Sequence, residues 1–384
     1  MEVVYAQTCR RGNRVSINIR PATIEDVFAI KAFNQRLVEG NAEFQFPETP
    51  YSLGVAREAH KPVWHELFIA SDGSLVRAGY ALKREMLSVR RSKDMIEIWN
   101  YQIPLSEGVV DKSFATLGIR LLQDAMARHE RLYCLGMGSL ARPLPRLLQR
   151  FAWKLEEVPF RFRVLQANRF LMNIAFLRTS RKNRMLLELA RWSGAGALCV
   201  FAWQLLTQVR GPYLPRALGF SDLTAFGAEA DDIFQRVSAL YGAVIDRSTA
   251  ALNVRFPSVD ERLIRITARL RHENIGWVVI SHSQCRAHKQ FGDMRLGCIV
   301  DGLCDPRHAE LMVRLATDRL VRERVDLIVS NQTHHAWLRA LRRNGFASGP
   351  SNFIFARSPV LATETPAIEE CHINRGDGDG PINL

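Results

Sequence analysis

The sequence predicts an α/β protein made of two similar halves. Three observations lead there. Stretches with the alternation of strands and stretches with the 3,4 spacing of helices follow one another in the same order in each half. Between 131 and 162 the matching positions keep one constant offset of 193 residues, without a gap, as in Arg146, Leu148 and Arg150 against Arg339, Leu341 and Arg343. A strongly basic segment separates the halves.

The elements follow in order. A helical pattern opens at Glu25-Asp26-Val27-Phe28 and runs to Leu37; its counterpart opens at Asp231-Asp232-Ile233-Phe234 and runs to Leu240. Short aromatic stretches come next, Phe44-Gln45-Phe46-Pro47 and Val254-Arg255-Phe256-Pro257. Gly79-Tyr80-Ala81-Leu82 and Gly276-Trp277-Val278-Val279 read as strands with a glycine at the entrance. Residues 96–105 and 295–303 read as strands, 117–127 and 311–320 as helices, and 132–135 and 325–329 as short buried strands. A second helix follows over 145–150 and 338–343. Each half is expected to close with its own alternating strand, Phe160-Arg161-Phe162 or Phe353-Ile354-Phe355.

A chain of 384 residues suits two domains, and 47% hydrophobic residues provide for a core. The seven cysteines include no C-x-x-C pair, which excludes a zinc ribbon and a thioredoxin-type site. The opening residues contain no apolar run of signal-peptide length, so the expectation is a cytoplasmic protein with reduced thiols. The plan is an N-terminal arm over 1–14, a first lobe over 15–168, a basic apolar helical linker over 169–220, a second lobe over 221–361 and a disordered tail over 362–384. The tail is acidic and glycine-rich; its Arg375-Gly376-Asp377 triplet carries no weight as an integrin signal in a cytoplasmic protein.

The net charge of +13 favours an anionic partner. Residues 161–216 hold ten Lys or Arg against one acid, Glu188, and so supply nine of those thirteen charges. The same segment contains an uncharged run over 192–209, which Gly194, Gly196, Gln204, Thr207 and Gln208 dilute as a membrane span. Two readings stay open: a strut between the lobes, and an amphipathic segment on an anionic bilayer, which would put the protein at the inner membrane's surface. Without an RRM-like or zinc-finger pattern, nucleic acid is not an expected partner.

The first half opens with Ile19-Arg20-Pro21-Ala22-Thr23-Ile24-Glu25-Asp26, and the second ends its last helix in Gly345-Phe346, where the first has Ala152-Trp153. These features and the order of elements resemble the GNAT acyltransferases, over most of both halves. The resemblance implies two tandem GNAT-like lobes, each a mixed central sheet flanked by helices, joined by the basic linker. Pro104-Leu105-Ser106-Glu107-Gly108, Leu135-Gly136-Met137-Gly138 and Gly349-Pro350-Ser351-Asn352-Phe353 are similar to phrases of two-lobed bacterial GNAT proteins found near exopolysaccharide gene clusters. The implied activity is N-acyl transfer from acetyl-CoA or a longer acyl-CoA to an amine of a small molecule or sugar, in polysaccharide or cell-envelope metabolism.

In such folds the cofactor enters between two splayed parallel strands, and its diphosphate meets backbone N–H groups at the next helix start. A Gln/Arg-x-x-Gly-x-Gly/Ala sequence is usual there. The first half has Ser113-Phe114-Ala115-Thr116-Leu117-Gly118, keeping only the last glycine, with Ser106, Gly108, Lys112 and Arg120 nearby as further phosphate-binding candidates. The second has Asp305-Pro306-Arg307-His308-Ala309-Glu310, with no glycine and an aspartate expected to cap the helix and repel a diphosphate. The first half is therefore the expected cofactor site. The tyrosine that often serves as acid on the last helix is replaced by Leu148 and Leu341. Base candidates are Glu97 and Tyr101 in the first half and Asp301 in the second. The polar run Ser330-Asn331-Gln332-Thr333-His334-His335 follows a buried strand and adds Asn331 and His334 as candidates. Its two histidines lack a third ligand, so no metal site is expected. The degraded glycine loops support a contrasting reading, a non-catalytic tandem scaffold or a membrane-surface binding protein. A minor alternative, a dinucleotide-binding oxidoreductase, rests on Gly136-Met137-Gly138-Ser139-Leu140-Ala141, with Glu156 and Glu157 further on.

Overall fold

The computed structural model describes residues 17–49, 61–90, 92–178, 180–210 and 215–378. The elements begin with β1 (Ile17–Pro21), α1 (Val27–Glu39), β2 (Trp64–Asp72), β3 (Leu75–Val89), β4 (Ile96–Ser106), α2 (Leu117–Arg128), β5 (Leu132–Met137), α3 (Pro143–Arg150), β6 (Lys154–Glu157) and β7 (Phe160–Val164). Three helices follow, α4 (Ala167–Asn173), α5 (Arg181–Trp192) and α6 (Ala195–Arg210). Then come β8 (Leu218–Leu223), α7 (Ala228–Val237), β9 (Ala243–Ile245), α8 (Thr249–Arg255), β10 (Leu263–Leu270), β11 (Glu273–Gln284) and β12 (Arg295–Cys304). The chain ends with α9 (Ala309–Arg322), β13 (Leu327–Asn331), α10 (His335–Arg343), β14 (Ala347–Gly349), β15 (Phe353–Arg357), α11 (Pro359–Glu364) and β16 (Cys371–His372).

Two compact units divide the chain, and neither matches a sequence half. Among the described residues, one consists of 17–49, 65–82 and 103–128, and the other holds the rest. In the smaller unit, β1 pairs antiparallel with β2. The turn from β1 into α1 is closed by Asp26, which accepts from the Arg20 guanidinium (2.6 and 2.7 Å) and from the Thr23 backbone N–H (2.8 Å). The Arg20 hydrogen bond, against the opposing effect of burial, brings the Asp26 carboxyl down to about 2. Helix α1 then buries Ile30, Phe33 and Leu37 on one stripe, and Asn34 clasps the backbone of Phe46 with two hydrogen bonds of 2.8 Å. That clasp explains the short aromatic stretch after the helix.

In the larger unit the second sheet has the order β14-β7-β13-β12-β11-β10-β8, and β5-β15-β6 end the first. This corrects the expectation that each half closes with its own strand. Strand β7 of the first half pairs antiparallel with β13 and β14 of the second, while β15 of the second pairs with β5 and β6 of the first. The two closing strands are exchanged. Both carry the period-two alternation that makes a strand, and a duplicated fold offers each of them two equivalent edges. Helices α9 and α10 cover the second sheet. Gly302 of β12 admits α10 closely, because a Cβ there would come within 2.8 Å of the Trp337 ring.

The uncharged run is interrupted near its start at Gly194 (φ +74°), where α5 and α6 meet at a bend of 75°. The expectation of a disordered tail is corrected: the tail is folded across 362–378, with Cys371, His372, Ile373, Asn374 and Asp377 all buried. Ile368, Cys371 and Ile373 join an apolar cluster with Leu87, Tyr133, Leu135 and Phe355, which offsets the entropy of ordering the segment. Residues 379–384 and the arm over 1–14 lie outside the described residues. Parallel pairing among the described residues is confined to β4–β5, β12–β13 and β9–β16. A dinucleotide-binding sheet needs a run of adjacent parallel strands, so this fold gives the oxidoreductase alternative no support.

Candidate active site

In the main strand order of each sheet, one adjacent pair is parallel and its pairing stops short of the carboxyl ends. In the first, β4 and β5 pair only at Trp99↔Leu132 and Asn100↔Tyr133. Tyr101 is the next residue on β4, buried, with its carbonyl accepting from the Cys134 thiol at 3.2 Å. Glu97 lies before the paired positions, where one carboxylate oxygen meets Arg84 (2.7 Å) and the other accepts from the Trp99 indole (2.9 Å). Beyond the pairing, β4 passes through Ile103 at φ +47°, a strained conformation for a β-branched residue.

The smaller unit holds the phosphate-binding candidates. Ser106 ends β4, and Glu107 after it is buried between Arg36 and Arg77. Gly108 is held close to the next turn; a Cβ there would lie 2.7 Å from the Phe114 carbonyl oxygen. Lys112 and Ser113 are exposed, and the Ser113 N–H is taken by the Asp111 carboxylate at 2.9 Å. Gly118 sits in the first turn of α2 with nothing within 4 Å of a would-be Cβ. Arg120, also exposed, donates to the Ile17 carbonyl at 2.8 Å. The helix start therefore offers an open backbone and two cations, with one acid working against an anion.

The second pair, β12 and β13, is joined over Leu296↔Leu327 to Ile299↔Ser330. Past that point the chain's own tail lies between the strands. The Asn374 amide donates to Asp301 of β12 at 2.6 Å, and the Arg375 guanidinium donates to Asn331 of β13 at 2.9 Å. The His372 Nε2–H donates to the Gly302 carbonyl at 2.7 Å, and Ile373 exchanges two hydrogen bonds with Thr333. Asp305 caps its helix turn through the Arg307 N–H (2.9 Å) and pairs with the Arg307 side chain (2.6 Å). His334 is buried at the N-terminus of α10 with its ring 4.7 Å from Tyr241, and burial followed by His372 and His335 pushes its pKa down to about 2. Asp301, Asn331 and His334 are thus brought together as the bed of the tail.

Sequence reasoning missed the charged cluster that holds that tail. Arg247, fully buried, lies 3.0 Å from Asp301 and 2.7 Å from Asp377. Lys83 donates to the Gly378 carbonyl (3.0 Å), and the Tyr133 hydroxyl donates to the Glu85 carboxylate and lies 3.1 Å from the Asp377 carbonyl. Burial raises the Glu85 pKa, but Lys83 and Arg255 outweigh it and hold the carboxyl below its ordinary value. The signal available was Asn374-x-x-Asp377, which forms a capping box around Gly376.

No family model and no curated protein matches this sequence. Solved structures do match. The N-myristoyltransferase of Saccharomyces cerevisiae, crystallised with myristoyl-CoA, aligns over 96% of this chain and 85% of its own at 10% identity and a TM-score of 0.50. A probable N-acyltransferase from Enterococcus faecalis V583 aligns over 91% and 74% at 8% identity and 0.53. A GCN5-related N-acetyltransferase from Anabaena variabilis aligns over 89% and 72% at 11% identity and 0.51. Two sheets flanked by helices give this chain the mixed α/β fold that it shares with these solved acyltransferases.

Proposed function

We propose that the protein is an N-acyltransferase and that its first lobe carries the reaction. The observation behind the choice of lobe is the filled second splay, where residues 372–376 take the place between β12 and β13 that a thioester would need. The donor is acetyl-CoA or a longer acyl-CoA; a fold neighbour crystallised with myristoyl-CoA supports the donor class. The acceptor is an amine on a small molecule or sugar, and the sequence phrases around Ser106, Gly136 and Gly349 point to polysaccharide or cell-envelope metabolism in the cytoplasm. The amine nitrogen attacks the thioester carbonyl, a C–N bond forms, the C–S bond breaks, the amine loses a proton and the thiolate gains one. We assign the proton transfer to Tyr101, the residue at the point where β4 leaves β5. Arg84 and Trp99 take both oxygens of Glu97, which suits a supporting role for that carboxylate. Ser106, Gly108, Lys112, Ser113, Gly118 and Arg120 are proposed to border the diphosphate.

A second reading, the non-catalytic scaffold, is favoured by Asp111 and by the missing glycines of the helix start. Titration calorimetry with acetyl-CoA and with long-chain acyl-CoAs separates the two. The proposal expects binding that Gly118→Asp weakens about tenfold or more, since a carboxylate in the first turn of α2 favours the helix while repelling a diphosphate. If neither donor binds the wild-type chain, the scaffold reading replaces the enzyme.

A further inference from the structure

We infer that α5 and α6 form a docking face for the surface of an anionic lipid bilayer. No single helix among the described residues is long and apolar enough to cross a membrane, and the two meet at 75°. Their exposed side chains are nevertheless apolar. Met185, Leu186, Leu189 and Trp192 on α5 and Leu198 and Phe201 on α6 are 61–78% exposed, and Leu205 and Leu206 are 51% exposed. The spacing 185, 189, 192 on one helix and 198, 201, 205 on the other makes an outward stripe on each. Away from that stripe α6 is fastened down, with the half-exposed Trp203 donating to the Gly345 carbonyl at 2.9 Å and Gln204, at the stripe's flank, to the Val164 carbonyl at 3.0 Å. Glu188, the acid of α5, is neutralised by Arg178 and Arg191.

Charge selects the occupant. Arg181, Lys182 and Arg184 crowd the first turn of α5, all exposed and without an ion pair among the described residues. Cations at the end of an apolar stripe suit a lipid interface, where the stems lie on the acyl boundary and the heads reach the phosphates. A protein partner or a second copy would have to bury the same cations against matching acids. Attachment needs no acyl-CoA, so this inference stands or falls apart from the acyl-transfer reading.

The test is flotation of the full chain with phosphatidylcholine vesicles, with and without phosphatidylglycerol, at low and high salt. The expected result is binding to the anionic vesicles only, weakened by salt. Arg181→Glu with Arg184→Glu should weaken it about 20-fold or more. Leu186→Glu with Leu189→Glu should abolish it while leaving the thermal unfolding midpoint near wild type, because both side chains are exposed. The inference fails if the wild type stays soluble with anionic vesicles at low salt, if it floats equally with neutral ones, or if either double variant floats like wild type. It also fails if size-exclusion shows a concentration-dependent dimer that Leu189→Glu disperses, which would make the face a contact between copies.

Discussion

Replacing Arg247 by methionine should cost about 3–5 kcal/mol of stability, a large part of the total for an ordinary protein. The guanidinium is wholly buried between Asp301 and Asp377, and its remaining nitrogen donates to the Ile245 carbonyl at 2.9 Å. Methionine fills similar space and leaves two carboxylates facing the cavity with no cation between them. Burial already pushes the Asp377 pKa up, Arg247 opposes that, and Asp301 adds to it. Without the arginine one of the pair must take a proton or the tail must leave. Urea unfolding reads the first outcome, and limited proteolysis after residue 360 reads the second. Adding Asp301→Asn and Asp377→Asn to Arg247→Met should restore most of the loss, because removing a whole buried charge set costs far less than breaking it. An Arg247→Met chain as stable as wild type would show that the cluster contributes little.

The sequence revealed much of this fold and little of its tail, for physical reasons. Ile30, Phe33 and Leu37, or Trp337, Ala340 and Leu341, are apolar side chains at helical spacing, and burial follows from the spacing alone. The alternation in Phe160-Arg161-Phe162 likewise announces a strand. It says nothing about which edge that strand joins, and the exchange with Phe353-Ile354-Phe355 depends on the connections. The tail is harder still. Asn374, Arg375 and Asp377 are polar residues in a glycine-rich stretch, normally a solvated composition. Asn374 and Asp377 are buried and Arg375 is partly so, because Asp301, Arg247 and Asn331, far away in sequence, complement them one by one. Of the candidate residues, Asn331 and His334 are suggested by their position after a buried strand and Asp301 by its place on a central one, yet the structure gives them the chain's own tail as a partner. Tyr101, the other kind of candidate, is a central-strand residue where the first pair of strands parts.

Acid should begin to destabilise the protein below about pH 6.5, above the ordinary carboxylate range. His372 lies between the rings of Tyr241 and Trp337 (centroids at 4.7 and 5.3 Å), with its Nε2 hydrogen committed to the Gly302 carbonyl. Nδ1 therefore has to take the second proton, inside the core and near Arg247. Burial first, then Arg247, brings this pKa down to about 4, and His334 is lower, at about 2. The sign follows directly. Both folded values lie below the ordinary value of about 6.5, so the unfolded chain binds protons first as pH falls. Stability present above pH 6.5 is lost on the way down, by roughly 2–3 kcal/mol for each histidine near pH 4.5. Asp26, held at about 2, and Glu85, held below its ordinary value, add their losses only under more acidic conditions. Asp377 acts in the opposite direction, because its raised pKa lets the folded state take up a proton as pH falls. Urea unfolding at intervals from pH 7.5 to 4.5 should show the decline, and His372→Gln should flatten it. The glutamine amide retains a donor for Gly302 and cannot titrate, so its curve starts lower at pH 7.5 and falls less. A wild-type curve that stays level down to pH 4.5 would mean that these histidines are protonated in the folded protein as readily as in the unfolded chain.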